Sequence, residues 1–140
     1  MKTTLFAVID TNVIVSALIS TNPESPPFII MAHVYAGSII PVYNDEIIRE
    51  YRDVLSRPRF HLSLEGIENA LSVIQSYGLN LERTQVEGTS FPDSKDAVFY
   101  EVKMSREDAY LITGNIKHFP RNPLVVAPRE FLDIMSTIED

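Results

Sequence analysis

Five apolar residues in a row, Leu5-Phe6-Ala7-Val8-Ile9, run directly into Asp10. An unbroken run without alternation suits a strand buried on both faces, as in the interior of a parallel sheet. A carboxylate at its end stands close to the core, where it needs a cation, a metal or N–H donors to offset desolvation. The rest of the chain agrees, because strand-length apolar runs alternate with helical patterns, predicting a parallel sheet with helices on both faces. The pattern predicts a first helix over 13–19, capped by Thr11 or Asn12, and a second opened by Ser25-Pro26-Pro27 and closed by Gly37. Ile39 to Tyr43 reads as a second strand, in which Pro41 points to a sheet edge or a strand end. A third helix starts at Asn44-Asp45-Glu46, runs towards Leu55 and stops before Pro58. Ser63 caps a fourth that ends at Gly78, and an irregular or extended stretch follows to Ser90. Pro92-Asp93-Ser94 opens a fifth helix through about Met104. Tyr110 to Thr113 is a third strand stopped by Gly114-Asn115, Leu124 to Ala127 a fourth, and Pro128 opens a last helix towards Met135. In open sheets of this kind, ligands sit at the carboxyl ends of the strands.

Composition narrows the class. With 140 residues and 45% hydrophobic content, the chain carries enough apolar material for one core, so a single domain over residues 1–140 is expected. Intrinsic disorder needs low hydrophobicity and is excluded. The absence of Cys excludes a disulfide framework and a thiolate metal site, and fits a reducing compartment. No apolar run reaches the ~18 residues of a membrane span. The chain begins like a signal peptide, but Asp10 and Asn12 interrupt it and no small-residue cleavage site follows, so a cytoplasmic protein is expected. Twelve Lys and Arg against 19 Asp and Glu leave a net charge of −7, which by itself gives no bulk attraction to nucleic acid.

Two strands end in small polar clusters, Asp10-Thr11-Asn12 and Thr113-Gly114-Asn115. Helix capping and turn chemistry account for Asn12 and Gly114-Asn115 as readily as a site does. In the third helix, Ile47, Ile48, Tyr51, Val54 and Leu55 define one apolar face. On a wheel Glu50 lies roughly 100° from the centre of that face and Glu46 roughly 140°. Glu50 is thus the boundary carboxylate able to lean into a cleft, while Glu46 points to water. Asp93 and Asp96 fit a cap followed by an acid at the N3 position. Taken together, Asp10, Glu50 and Asp96 converging at one end of the sheet would repel one another unless a cation neutralised them. Hard oxygen ligands suit Mg²⁺ or Mn²⁺, and such an ion can activate water and clamp a phosphodiester oxygen.

Four segments carry a resemblance, in order: Val8 to Leu18, Glu50 to Phe60, Asp93 to Phe99 and Tyr110 to Asn115. Together they resemble the PIN-domain family, in the branch that supplies toxins of toxin–antitoxin modules (VapC-like ribonucleases). The resemblance implies a three-layer α/β/α sandwich around a mainly parallel sheet of four to five strands. It also implies a divalent-metal-dependent endoribonuclease using Mg²⁺ or Mn²⁺. Carried over by position, Asp10, Glu50 and Asp96 are the metal carboxylates. Asn115 falls where many members have a fourth Asp; it keeps an oxygen and removes a charge, favouring one ion over two. Asn12 and Thr113 become supporting hydrogen-bond donors. Basic residues cluster locally despite the overall charge, with Arg49, Arg52, Arg57, Arg59 and His61 close together and Lys117 and His118 after Asn115. Solvated helix faces explain them as well as a phosphate track does; for the latter, Arg57, Arg59 and Lys117 are the candidates. Single-stranded RNA is the expected substrate, and a cognate antitoxin and a homodimer follow from the resemblance only. Two rivals stand beside this reading. One is a binding or interaction module on the same fold, its site degraded by Asn115. The other, a phosphatase with an aspartyl nucleophile, usually needs an Asp where Asn12 stands.

Overall fold

The computed structural model describes residues 4–88 and 91–139. A five-stranded sheet of order β3-β2-β1-β4-β5 forms the centre, and every pairing in it is parallel. Its strands are β1 (Leu5–Ile9), β2 (Ile39–Tyr43), β3 (Leu79–Asn80), β4 (Tyr110–Ile112) and β5 (Val125–Val126). Five α-helices lie between them among the described residues, α1 (Thr11–Ile19), α2 (Pro26–Ala36), α3 (Asp45–Leu55), α4 (Leu64–Tyr77) and α5 (Ala97–Met104), and α6 (Pro128–Glu139) follows β5. The unbroken apolar run is the middle strand, flanked by β2 and β4 in registers that set Leu5 opposite Ile39 and Val8 opposite Leu111. Parallel crossovers are right-handed, so α1–α4, which link β1 to β2 and β2 to β3, lie on one face and α5 lies on the other. The contacts agree: α2 and α4 pack on β2, α6 packs on α2, and α5 packs on β1, β2 and β4. The result is an α/β/α sandwich.

Three local expectations change. Pro41 stands in an interior strand rather than at the edge, since β3 flanks β2. That pairing starts only at Val42, so the proline's missing N–H meets no ladder. The extended stretch after α4 contains the short strand β3, and its last two positions, 89 and 90, lie outside the described residues. The fifth helix begins later than its sequence pattern implies. A single 3₁₀ turn, Ser94–Asp96, comes first, with the Asp93 carboxylate accepting from the Lys95 N–H at 3.0 Å.

The end of α4 fits against β2 through Gly78. A Cβ there would stand 2.3 Å from the Ile74 carbonyl oxygen and 2.5 Å from that of Pro41. Only a missing side chain allows helix and strand to approach this closely. Helix α3 is fixed to the end of β1 by Tyr51, whose buried hydroxyl donates to the Ile9 carbonyl. Burial, reinforced by the nearby Asp10 charge, pushes that hydroxyl far above the usual tyrosine range, so it remains a donor.

Candidate active site

From β1 the chain builds outward to β2 and β3 on one side, then crosses to β4 and β5 on the other. In a parallel sheet this reversal opens a crevice beyond the carboxyl ends of the two adjacent strands, here β1 and β4. Asp10 follows β1 and Thr113 follows β4. The two meet: the Thr113 hydroxyl donates to Asp10 Oδ2 at 2.7 Å, and the Asn115 N–H donates to the Thr113 oxygen at 3.0 Å. That backbone donor occupies the acceptor side of the hydroxyl and leaves its proton for Asp10.

Asp10 occupies the N-cap position of α1, where the sequence pattern favoured Thr11 or Asn12. Its backbone carbonyl accepts from Val13 and Ile14, yet its side chain makes no capping bond. The carboxylate is only 6% exposed, and desolvation raises its pKa against the opposing effects of Thr113, the Thr11 backbone and His118. Asp96 repeats the arrangement at the N-cap of α5, again with no capping bond, rather than serving as an N3 acid. Burial raises its pKa, and repulsion from Asp10 and Asp93 adds to the rise, while His118 opposes it. Both acids therefore sit at the positive ends of helices without a side-chain capping bond.

The two carboxylates line one cleft of about 300 Å³, together with Glu50, Asn12 and Asn115. Glu50 reaches it from α3, as its place at the edge of the apolar face predicted. Glu46 instead pairs with Arg83 at 2.9 Å, outside this cleft. His118 stands on the rim with Nδ1 3.3 Å from Asp96 Oδ2.

Of the three basic candidates, Arg57 and Arg59 line the cleft and Lys117 does not. Arg57 also faces Asp53 at 3.6 Å, and Arg52 is bound to Glu68 through two N–H groups at 3.0 Å. Lys95 was missed by sequence reasoning. It follows Asp93 and precedes Asp96, and the 3₁₀ turn carries all three into the cleft. Asp-x-x-Asp reads as a cap, so nothing in the pattern singled out the lysine between them. A neighbouring depression shares Glu50 and Lys95 with the cleft and adds Arg49.

The donor set fits a hard divalent cation. Thr11 Oγ1 is buried without a hydrogen-bond partner, Asp96 Oδ2 faces only the His118 ring nitrogen at 3.3 Å, and desolvation raises both carboxylates. Among the described residues, no three His, Asp or Glu side chains are gathered closely enough to cage an ion by themselves. The acids line a common cleft without closing on a single point.

Replacing Thr113 with Val tests the support beneath Asp10. Loss of a hydrogen bond to a buried charge is expected to lower unfolding stability at pH 7 by about 1.5–3 kcal/mol, read from denaturant titration. Thr113→Ser is expected to recover most of it.

A family model described as the PIN domain matches residues 7–117. The matched stretch contains every acid of the cleft and the Thr113–Asp10 contact. No curated protein and no solved structure matches the chain.

Proposed function

This chain belongs to the PIN-domain family, and from that premise we propose that it is a divalent-metal-dependent endoribonuclease acting as the toxin of a toxin–antitoxin pair. PIN domains are generally nucleases that use divalent metal ions. The observation that carries the finer reading is the pair Asp10 and Asp96. Two half-buried or buried acids, each raised by desolvation and neither used as a cap, are brought to one cleft at the switch point. Keeping them there without a cation is unfavourable, and oxygen donors alone favour Mg²⁺ or Mn²⁺. The toxin assignment rests on the four motifs found in order along the chain.

In this reading Asp10, Glu50 and Asp96 would hold the ion by closing around it from the walls of the cleft, and Asn115 would contribute a neutral oxygen donor beside them. A divalent cation there supplies the charge that lowers the pKa of water and offsets charge building on the phosphate. Thr113 fixes the rotamer of Asp10, and Asn12 lies within reach of the substrate from the first turn of α1. Arg57 and Arg59 take backbone phosphates on one side of the acids, while Lys95 and Arg49 continue the track beyond Glu50. Lys117 is set back from this path.

The protein is expected to cut single-stranded RNA when Mn²⁺ or Mg²⁺ is supplied and to stop when a chelator removes it. Cleavage that persists in chelator overturns the reading. Mn²⁺ is also expected to raise Tm, and the gain to grow as pH rises, because the ion competes with protons for Asp10 and Asp96. One observation favours a rival binding module on the same fold: the fourth position carries the uncharged amide of Asn115. Calorimetric titration with Mn²⁺ separates the two, since a degraded site takes up no ion through its acids.

A further inference from the structure

We propose that Arg59 and Phe60 form a stacking subsite for one unpaired nucleobase next to the cut phosphate, making the enzyme selective for single strands. The inference rests on the ribonuclease reading and deepens it. After α3 the chain makes a 3₁₀ turn, Pro58–Phe60, and then places His61 at φ 53°. His61 is the one non-glycine with positive φ among the described residues. Such backbone is costly for a side-chain-bearing residue and concentrates where geometry must be held for function. What the turn holds is Phe60, packed against the core on one side while still lining the acidic cleft. The Arg59 guanidinium lies over its ring, 4.8 Å from the centroid.

Arg59 differs from its neighbours. Arg52 and Arg57 each face a carboxylate, but among the described residues Arg59 has no ion-pair partner and lies on an aromatic face instead. A flat cation backed by an aromatic ring, exposed at the mouth of a phosphate-binding cleft, matches the chemistry of a base joined to a phosphate. The ring holds the guanidinium flat from beneath, the outer face of the guanidinium offers the stacking area, and its charge serves the adjoining backbone. A base held in a duplex cannot reach such a platform without leaving its own stack. The plainer account, in which Phe60 only anchors the loop, predicts no dependence on the substrate's bases.

The test uses a labelled single-stranded RNA oligonucleotide and its series with one abasic position at a time. Binding is read by fluorescence anisotropy in full-length Asp96→Asn protein, so that cutting does not intrude. Phe60→Leu, which keeps apolar volume and loses the ring, is expected to weaken binding about ten- to a hundredfold. Arg59→Lys, which keeps charge and loses the plane, is expected to fall between it and the parent. An abasic residue at one position should weaken the parent by a similar factor, and on that oligonucleotide Phe60→Leu should add nothing. Penalties that multiply, or a Phe60→Leu affinity equal to the parent's, overturn the subsite. If Phe60→Leu lowers Tm, the same cycle is run with Arg59→Lys, whose exposed side chain is not part of the core. A wild-type protein that binds with this base dependence yet cuts no RNA removes the ribonuclease reading and leaves the subsite standing.

Discussion

Asp10→Asn is expected to abolish RNA cleavage and, at pH 7, to make the protein more stable. The loss of rate should be about a hundred- to a thousandfold or greater, the range for removing one preorganised electrostatic partner from a transition state. Asp96→Asn should match it, and the double variant should be little worse than either single one, because in the proposed reading both acids hold the same ion. The gain in stability follows from the direction of the pKa shift. Asp10 is raised in the folded protein, so the folded state binds its proton more tightly than the unfolded state does. Its contribution is therefore fully present below the unfolded value of 3.8 and is lost as pH rises through the raised folded value. At pH 7, above the unfolded value, the raised pKa counts against folding, and the neutral amide removes that cost. Tm should rise by a few degrees at pH 7, since ~1 kcal/mol moves Tm by roughly 3–4 °C in a chain of this size. Well below the unfolded value of 3.8 the difference should vanish, because wild-type Asp10 is then protonated in both states. Scanning Tm against pH in metal-free buffer checks both ends of the window. A variant that melts earlier than wild type at pH 7 contradicts the account, as does one that retains metal-dependent cleavage.

Gly78→Ala should cause the largest change in stability of an alanine substitution at any of the five glycines. Its φ of −91° is open to any residue, so backbone strain is not the reason. The new Cβ would lie 2.3 Å and 2.5 Å from two carbonyl oxygens, one in α4 and one in β2. Neither is the tip of a flexible side chain. The clash can be relieved only by moving α4 off the sheet, which uncovers Ile67, Leu71 and Ile74, all buried. Overpacking ordinarily costs about 1–3 kcal/mol, and a site with two backbone obstacles belongs above that range. Denaturant unfolding is expected to show a loss of more than ~3 kcal/mol, or no cooperative transition. Gly37→Ala makes a useful contrast. Its Cβ would meet nothing within 4 Å, and its φ of 84° supplies the only penalty, so about 1 kcal/mol is expected.

The sheet was legible wherever a strand is apolar throughout. Leu5 to Ile9 and Tyr110 to Ile112 carry their burial in their residue types, and Asn44 and Ser63 announce the helices they cap. Strand β3 was not legible, because two residues cannot establish a period and its pairing with Val42 and Tyr43 is a tertiary event. The acids of the cleft were legible as types and positions, whereas their surroundings were not. Nothing local shows that Asp10 and Asp96 leave their helices uncapped, since capping is what acids at these positions usually do. Lys95 and Lys117 likewise both stand in 3₁₀ turns, yet only Lys95 lines the cleft. Net charge was a poor guide to the partner. Part of the −7 is gathered in the cleft itself, where a bound cation would invert the local field.

The hydrogen bond from Thr113 to Asp10 joins residues 103 positions apart, and that separation has a consequence in time. Everything before β4 can be synthesised, and α1 to α4 can begin to pack on β1 and β2, while the crevice still lacks one wall. At ~5–20 residues per second, the wall follows Asp10 by roughly 5–20 s of translation. Until then the carboxylate has no hydroxyl to orient it and no adjacent strand to enclose it. If the chain is the ribonuclease proposed above, its cleft is incomplete while it is being made, and cutting begins only once β4 is in place.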